Sequence, residues 1–240
     1  MGEIVAAPIK GLLFDKDGTL IDVMGTWLPV YREMLEESFP DRRELWDRVL
    51  QQSGYDAEAS NFRANSPLAS GTTDHLVDLW WPGLAARDRQ QRIRMVDEEF
   101  KTRSTKHLRA ILPLEPLLAD LKARNLKLGI ATNDNEASAR AHVALLKIGP
   151  FVDFVAGYDS VRRAKPAGDM VHAFCRACAL DPGEVAVVGD NPHDLEMGHD
   201  AGAGLVIGVL TGNGGRDDFV GLADAVLGSV ADLPAYLDGI

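Results

Sequence analysis

Two carboxylates, Asp15 and Asp17, follow the apolar run Leu12-Leu13-Phe14 and precede Gly18 and Thr19. A run without polar alternation reads as a central strand of a parallel sheet covered on both faces. That puts the acids at its carboxyl end, where open α/β sheets bind ligands, and makes them candidates for catalysis. An Asp-Gly turn explains Asp17 and Gly18 but not the second acid. Polar groups recur past the later strand-like runs: Thr132 and Asn133, then Lys165, then Asp190 with Asp194. Taken singly, Asn133 with Glu136 is a capping-box-like helix start, Lys165 a loop charge like Arg162 and Arg163, and Asp190 the opening of a turn with Asn191-Pro192. Taken together they converge on one crevice.

The elements that must position them read as follows. Beyond Leu20 the pattern stays helical for about eighty residues. Trp27, Val30, Tyr31, Met34 and Leu35 mark one helix; Leu45, Trp46, Val49 and Leu50 mark a second, closed by Gly54. Leu76, Val77 and Trp80 mark a third, capped by Thr72, Thr73 or Asp74, and Ile93, Val96 and Phe100 a fourth. All four tryptophans lie in this block, which reads as a small core of its own. Residues 61–71 have turn chemistry and are its candidate substrate-facing loop. After Leu112-Pro113 the chain alternates: a helix over 117–124, strands at 127–131, near 152–156, at 184–189 and at 205–210, with helices between. Strands alternating with helices imply right-handed crossovers and a parallel sheet. The expected fold is α/β, a Rossmann-like three-layer parallel-sheet core (1–22 and 108–240) with an inserted α-helical cap (23–107).

Composition narrows the function classes. The chain has 240 residues, 46% hydrophobic and 25% charged, and no apolar run approaches the ~18 residues of a membrane span. Met1–Pro8 carries Glu3 where a secretory signal would be positive, so a cytoplasmic location is expected. A net charge of -11 argues against nucleic acid but leaves room for a small anionic substrate held by a local cation and a metal. Cys175 and Cys178 fall on one face of a helical pattern beside Phe174 and Leu180. With no second Cys pair to complete a zinc site, they read as small buried hydrophobes.

The segments DKDGTL (15–20), ATND (131–134), the Lys165-Pro166 pair and VGDNPHD (188–194), in that order, resemble the four motifs of the haloacid-dehalogenase-like hydrolase superfamily. The resemblance spans nearly the whole chain and is strongest to Mg²⁺-dependent phosphatases with a helical cap, phosphoglycolate-phosphatase-like members above all. It implies a small phosphorylated metabolite as partner, Asp15 as nucleophile and Asp17 as general acid/base. It also implies Thr132 and Asn133 as phosphate binders, Lys165 as charge anchor and Asp190 as Mg²⁺ ligand, with Asp194 a further ligand or an acceptor behind it. Gly18 would let backbone and phosphate approach closely, and an Asp15 oxygen with the Asp17 carbonyl would complete the metal's protein ligands.

Elementary electrostatics agrees. A carboxylate attacking a phosphate dianion meets about 4 kcal/mol of repulsion per charge pair at 4 Å in an effective dielectric near 20, so cations are required. Four acids against Mg²⁺ and Lys165 leave one negative charge, which a proton on Asp17 would cancel; that proton suits a leaving alkoxide. Asp17 also favours phosphoester transfer over the superfamily's other chemistries. A phosphomutase of the β-phosphoglucomutase type stays open, as does a catalytically silent phosphometabolite-binding or regulatory protein. Lys16 is expected to point away from its neighbours, Asp134 outward within a helix cap, and His193 to be a loop residue or one that stands behind the metal's ligands. His75, His142, His172 and His199 read as structural. His107, with Lys101, Arg103, Lys106 and Arg109, reads as a solvated basic face. Arg63 is the one cap residue put forward as a substrate contact. A monomer or homodimer is expected.

Overall fold

The computed structural model describes residues 8–240; Met1–Ala7, on which the reading of a leaderless N-terminus rests, lie outside the described residues. The first strand, β1 (Gly11–Phe14), is buried throughout. It is followed by α1 (Val23–Ser38), α2 (Arg43–Ser53), a hairpin of β2 (Tyr55–Asp56) and β3 (Asn61–Phe62), the single turn α3 (Pro67–Ser70), α4 (Thr73–Trp80) and α5 (Ala86–His107). The chain then alternates as α6 (Leu114–Ala123), β4 (Lys127–Ala131), α7 (Glu136–Leu145), β5 (Phe154–Ala156), α8 (Asp169–Cys178), β6 (Val185–Gly189), α9 (Pro192–Ala201), β7 (Leu205–Val209), β8 (Ala225–Leu227) and α10 (Leu233–Leu237). No described helix is long and apolar enough to cross a membrane.

Six strands form one sheet in the order β5-β4-β1-β6-β7-β8, every pair parallel. Phe14 is in register with Ile130 on one side and Val188 on the other, so β1, β4 and β6 end at the same level. The residues just beyond them, Asp15, Thr132 and Asp190, therefore leave the sheet side by side. Alternation along β1 divides the core: Leu12 and Phe14 pack with Leu118, Ile130 and Val188 under α6 and α10, while Leu13 packs with Val187, Met170, Phe174 and Met197 under α8 and α9.

Glycines on two adjacent strands make room for the largest side chain of the second cluster. A Cβ on Gly129 would come within 2.8 Å of the Phe174 ring, and one on Gly11 within 3.0 Å. Cys175 is buried beside Phe174, and Cys178 packs against the same cluster. Replacing Phe174 by Ala empties a fully buried ring site between two glycines that cannot fill it. The expected loss in denaturant unfolding is about 3–5 kcal/mol.

The helical segment between β1 and α6 builds its own core from Trp27, Tyr31, Phe62, Trp80 and Phe100. Phe100 stands edge-on to Trp27 at 5.3 Å and to Tyr31 at 5.8 Å between ring centroids. Thr72 caps α4. The expected loop at 61–71 instead contains β3 and α3, elements of two and four residues that are too short to leave a periodic signature. For the same reason β8 and α10, of three and five residues, escape the sequence pattern.

Candidate active site

The backbone amide of Asp15 donates to Val188 O at 2.8 Å, which prolongs the ladder and fixes where the carboxylate leaves the sheet. The Lys165 ammonium, wholly buried, donates to Asp15 Oδ1 at 2.6 Å and to Asp194 Oδ1 at 2.7 Å. Asn133 holds that lysine in place, accepting from Lys165 N at 3.1 Å and donating to Lys165 O at 3.3 Å. Asp190 accepts from Thr19 Oγ1 at 3.2 Å and from the backbone amide of Asn213 at 2.8 Å. Asp15, Asp190 and Asp194 each bring one carboxylate oxygen within 4.8 Å of the others.

Two glycines permit this crowding. Gly18 has φ +94°, and a Cβ there would stand 2.5 Å from Asp190 Oδ2; at Gly212 it would stand 1.9 Å away. Thr211 Oγ1 donates to Gly18 O at 2.6 Å, so the loop after β7 braces both acid segments. Sequence reading missed Thr19, Thr211 and Asn213. The Thr211-Gly212 pair at the end of a strand was the signal available.

Three buried acids share one lysine, and their proton affinities reflect the shortage. Burial, opposed by Lys165 and aided by Asp194 and Asp17, raises Asp15 to about 6. Burial, with Asp15 and Asp194 nearby, holds Asp190 well above the usual carboxylate range, and burial raises Asp194 against the pull of Lys165. Burial alone would lower Lys165, but Asp15 and Asp194 overcome it and keep the ammonium charged. Asp15 Oδ2 is buried and has no hydrogen-bond partner among the described residues. An orphaned carboxylate oxygen in a cluster of three acids that one lysine cannot neutralise fits a hard divalent cation such as Mg²⁺. Asp194 is less free to ligate, because Lys165 takes one oxygen and the amide of Asn191, at 3.1 Å, takes the other.

Around Asp17 the structure corrects the sequence reading. Lys16 does not point away: its ammonium reaches Asp17 Oδ2 at 2.7 Å and Asp134 Oδ2 at 3.2 Å, with the Trp27 ring 5.3 Å off. The backbone is not extended here. Leu20 N and Ile21 N both bond to Lys16 O, and that turn swings Lys16 to the same side as Asp17. Asp134, expected to face outward, is buried on this lysine. Asp17 also accepts from Trp27 Nε1 at 2.5 Å and from Thr132 Oγ1 at 3.2 Å. Burial alone would raise Asp17, but Lys16 and Trp27 hold it below its usual value, so it is the carboxylate and not the protonated acid that charge counting anticipated.

The remaining expectations sort by geometry. The cap of α7 is Asn135, which accepts from Ser138 N at 2.8 Å, and this leaves Asn133 free for Lys165 and for Ser70 O. His142 sits on α7 as expected but bonds Lys16 at 3.2 Å and Ser104 Oγ at 2.7 Å; burial and Lys16 lower it to about 3. His193 lies in the first turn of α9 with Nε2 3.4 Å from Asp194 Oδ1, behind the acid cluster rather than in a loop, and burial beside Lys165 lowers it likewise to about 3. Arg103 and His107 pair with Glu33 and Glu37 on the helical segment. Arg63 is exposed, bonds Gln51 O at 2.8 Å and does not reach the site.

Asp15, Asp17, Thr132, Asn133, Asp134 and His193 floor a cavity of about 50 Å³. Its opposite wall comes from α1, α3, α4 and α5.

A parallel α/β sheet with acids and a buried lysine at its carboxyl edge, facing a cavity under a helical insert, has the arrangement of an enzyme active site. The sequence model of the haloacid dehalogenase-like hydrolases matches residues 9–202, and the chain belongs to that family. It is 26% identical over 195 residues to an N-acetylmuramic acid 6-phosphate phosphatase of Pseudomonas putida, covering 81% of this chain and 80% of that one. It is 26% identical over 238 residues to a phosphoglycolate phosphatase of Photorhabdus laumondii, covering 97% and 94%. A solved haloacid dehalogenase-like hydrolase from Bacteroides fragilis superposes with a TM-score of 0.73 at 18% identity, over 94% of this chain and 99% of that one.

Proposed function

We propose that the protein is a Mg²⁺-dependent phosphatase that cleaves a small phosphate monoester through an aspartyl-phosphate on Asp15, with residues 23–107 acting as the cap over the cavity. The observation that carries this reading is the asymmetry of Asp15. Lys165 holds the carboxylate by Oδ1, and Oδ2 is buried without a partner, so Asp15 keeps an unengaged oxygen where cation and phosphoryl group would meet. In the first half-reaction an Asp15 carboxylate oxygen bonds to phosphorus and the ester oxygen departs with a proton relayed by Asp17, which must first take it from solvent because Lys16 and Trp27 hold the resting group ionised. In the second, a water gives a proton to Asp17 and its oxygen bonds to phosphorus, which releases phosphate and restores Asp15. The Lys16 and Trp27 contacts favour the ionised Asp17 that the second step uses. Thr132 and Asn133 border the space for the transferred group. Asp15, Asp190 and the Asp17 carbonyl would hold the cation, with Asp194 anchoring Lys165. When bound, the cation supplies the positive charge that offsets repulsion between carboxylate and phosphate.

Phosphate release from a panel of phosphate monoesters, with and without Mg²⁺, tests the proposal; no Mg²⁺-dependent release from any ester rejects it. Isomerised sugar phosphate with little free phosphate would instead reveal a mutase. The same panel has a pH signature. Asp15 binds its proton near 6 in the folded protein, so below that pH a cation must displace the proton before it binds. The Mg²⁺ dissociation constant, read by calorimetry, should therefore rise by up to about tenfold per pH unit below about 6, with proton release on binding. A constant unchanged down to about pH 5 contradicts the cluster as the metal site.

A further inference from the structure

Opposite the acids, the cavity is walled by Trp27, Tyr31, Leu68, Leu76 and Phe100, all buried, together with half-buried Ala69. Among the described residues, no lysine or arginine lines it. Cations of the helical segment are engaged elsewhere: Arg63 on Gln51 O, Arg103 on Glu33 and Glu37, Arg89 on Asp78, and Arg92 over the Trp81 ring at 4.8 Å. Behind the floor, Lys16 and Lys165 are each shared between two carboxylates. A leaving group with a second anionic centre would lie against apolar rings or face Asp17 and Asp134, with no positive group free to receive it. Burying a carboxylate there without a partner is strongly unfavourable. Aromatic faces do suit a flat ring, and Tyr31 adds a hydroxyl to the wall.

We infer that the enzyme's substrates are phosphate monoesters of uncharged, ring-bearing alcohols, selected by the apolar wall of the insert, and that phosphorylated acids and pyrophosphate are discriminated against. The inference rests on the phosphatase reading for its chemistry but makes a separate statement about charge. Matched esters isolate that charge: 4-(hydroxymethyl)phenyl phosphate against 4-carboxyphenyl phosphate, and glucose 1-phosphate against glucuronic acid 1-phosphate. The neutral member of each pair should have a kcat/KM at least about tenfold higher, mainly through KM. In the Ala69→Arg variant, which places a cation on the half-buried edge of the wall, that ratio should fall about tenfold. Charged members turned over as well as neutral ones, or a ratio unmoved by Ala69→Arg, overturn the inference. Should no ester be hydrolysed at all, the phosphatase reading fails. The charge inference is then decided by calorimetry of the same pairs on the Asp15→Asn protein, where neutral esters should bind about tenfold tighter and equal affinity rejects it.

Discussion

Asp15→Asn should eliminate turnover, lowering kcat by at least about 10⁴-fold, while leaving the protein folded and no less stable at neutral pH. The amide matches the carboxylate in shape but cannot form the acyl phosphate. Stability is expected to hold because of the sign of the shift at Asp15. Its folded-state pKa of about 6 lies above the ordinary aspartate value of 3.8, so the native state prefers the protonated group. At neutral pH the ionised carboxylate therefore works against the fold, and the contribution it makes is recovered as pH falls from about 6 toward 3.8. Removing the charge relieves Asp190 and Asp194, while Lys165 keeps Asp194 as partner. The thermal midpoint at neutral pH, in the absence of Mg²⁺, should equal or exceed that of the parent. Substantial activity in the Asp15→Asn protein, or its failure to fold, contradicts this assignment.

The second large effect belongs to Lys16. Its side chain is 3% exposed and supplies the positive charge shared by Asp17 and Asp134. Lys16→Met keeps most of the volume but leaves two buried carboxylates facing each other beside neutral His142. Breaking a buried ion pair from one side costs about 3–5 kcal/mol, and chemical denaturation at neutral pH should show a loss of that size. The deficit should shrink at lower pH as the two acids take up protons. It should also shrink in the double variant Lys16→Met/Asp134→Leu, which removes one of the stranded charges. Because Lys16 touches Asp17 rather than substrate, it is a positioning residue, and the activity that remains should shift its acid limb to higher pH. A single variant within about 1 kcal/mol of the parent, with an unchanged pH profile, would mean that Lys16 is not what neutralises this corner.

These two residues also mark how far the sequence can be read. Asp15 is legible because an apolar run that stops at an acid identifies both the strand and its carboxyl end, and parallel neighbours in register carry Thr132 and Asp190 to the same edge. Lys165 can be assigned to that edge only through the motif order. Its burial depends on Asn133, whose role is hidden by the cap that Asn135 provides two residues later. Lys16 defies the period-two rule because that rule ends with β1, and Lys16 lies beyond it in a turn closed by its own carbonyl. The partners of Asp17 come from Trp27 on α1 and, through Lys16, from Asp134 after β4, contacts that no local pattern encodes. The wall of the cavity is half visible. The spacing of Trp27, Tyr31 and Phe100 leads to an aromatic core, but the same rings also face the site, and their periodicity does not distinguish the two.

The central claim is that Asp15 carries the phosphoryl group. It is tested most directly by quenching the enzyme with acid during turnover of a hydrolysed monoester in the presence of Mg²⁺ and mapping phosphorylated peptides by mass spectrometry. The account predicts one added phosphoryl group on the peptide that contains Asp15, lost on treatment with hydroxylamine and absent from the Asp15→Asn protein. Rapid phosphate release with no phosphoryl group on that peptide at any quench time, and with activity retained by Asp15→Asn, would contradict it.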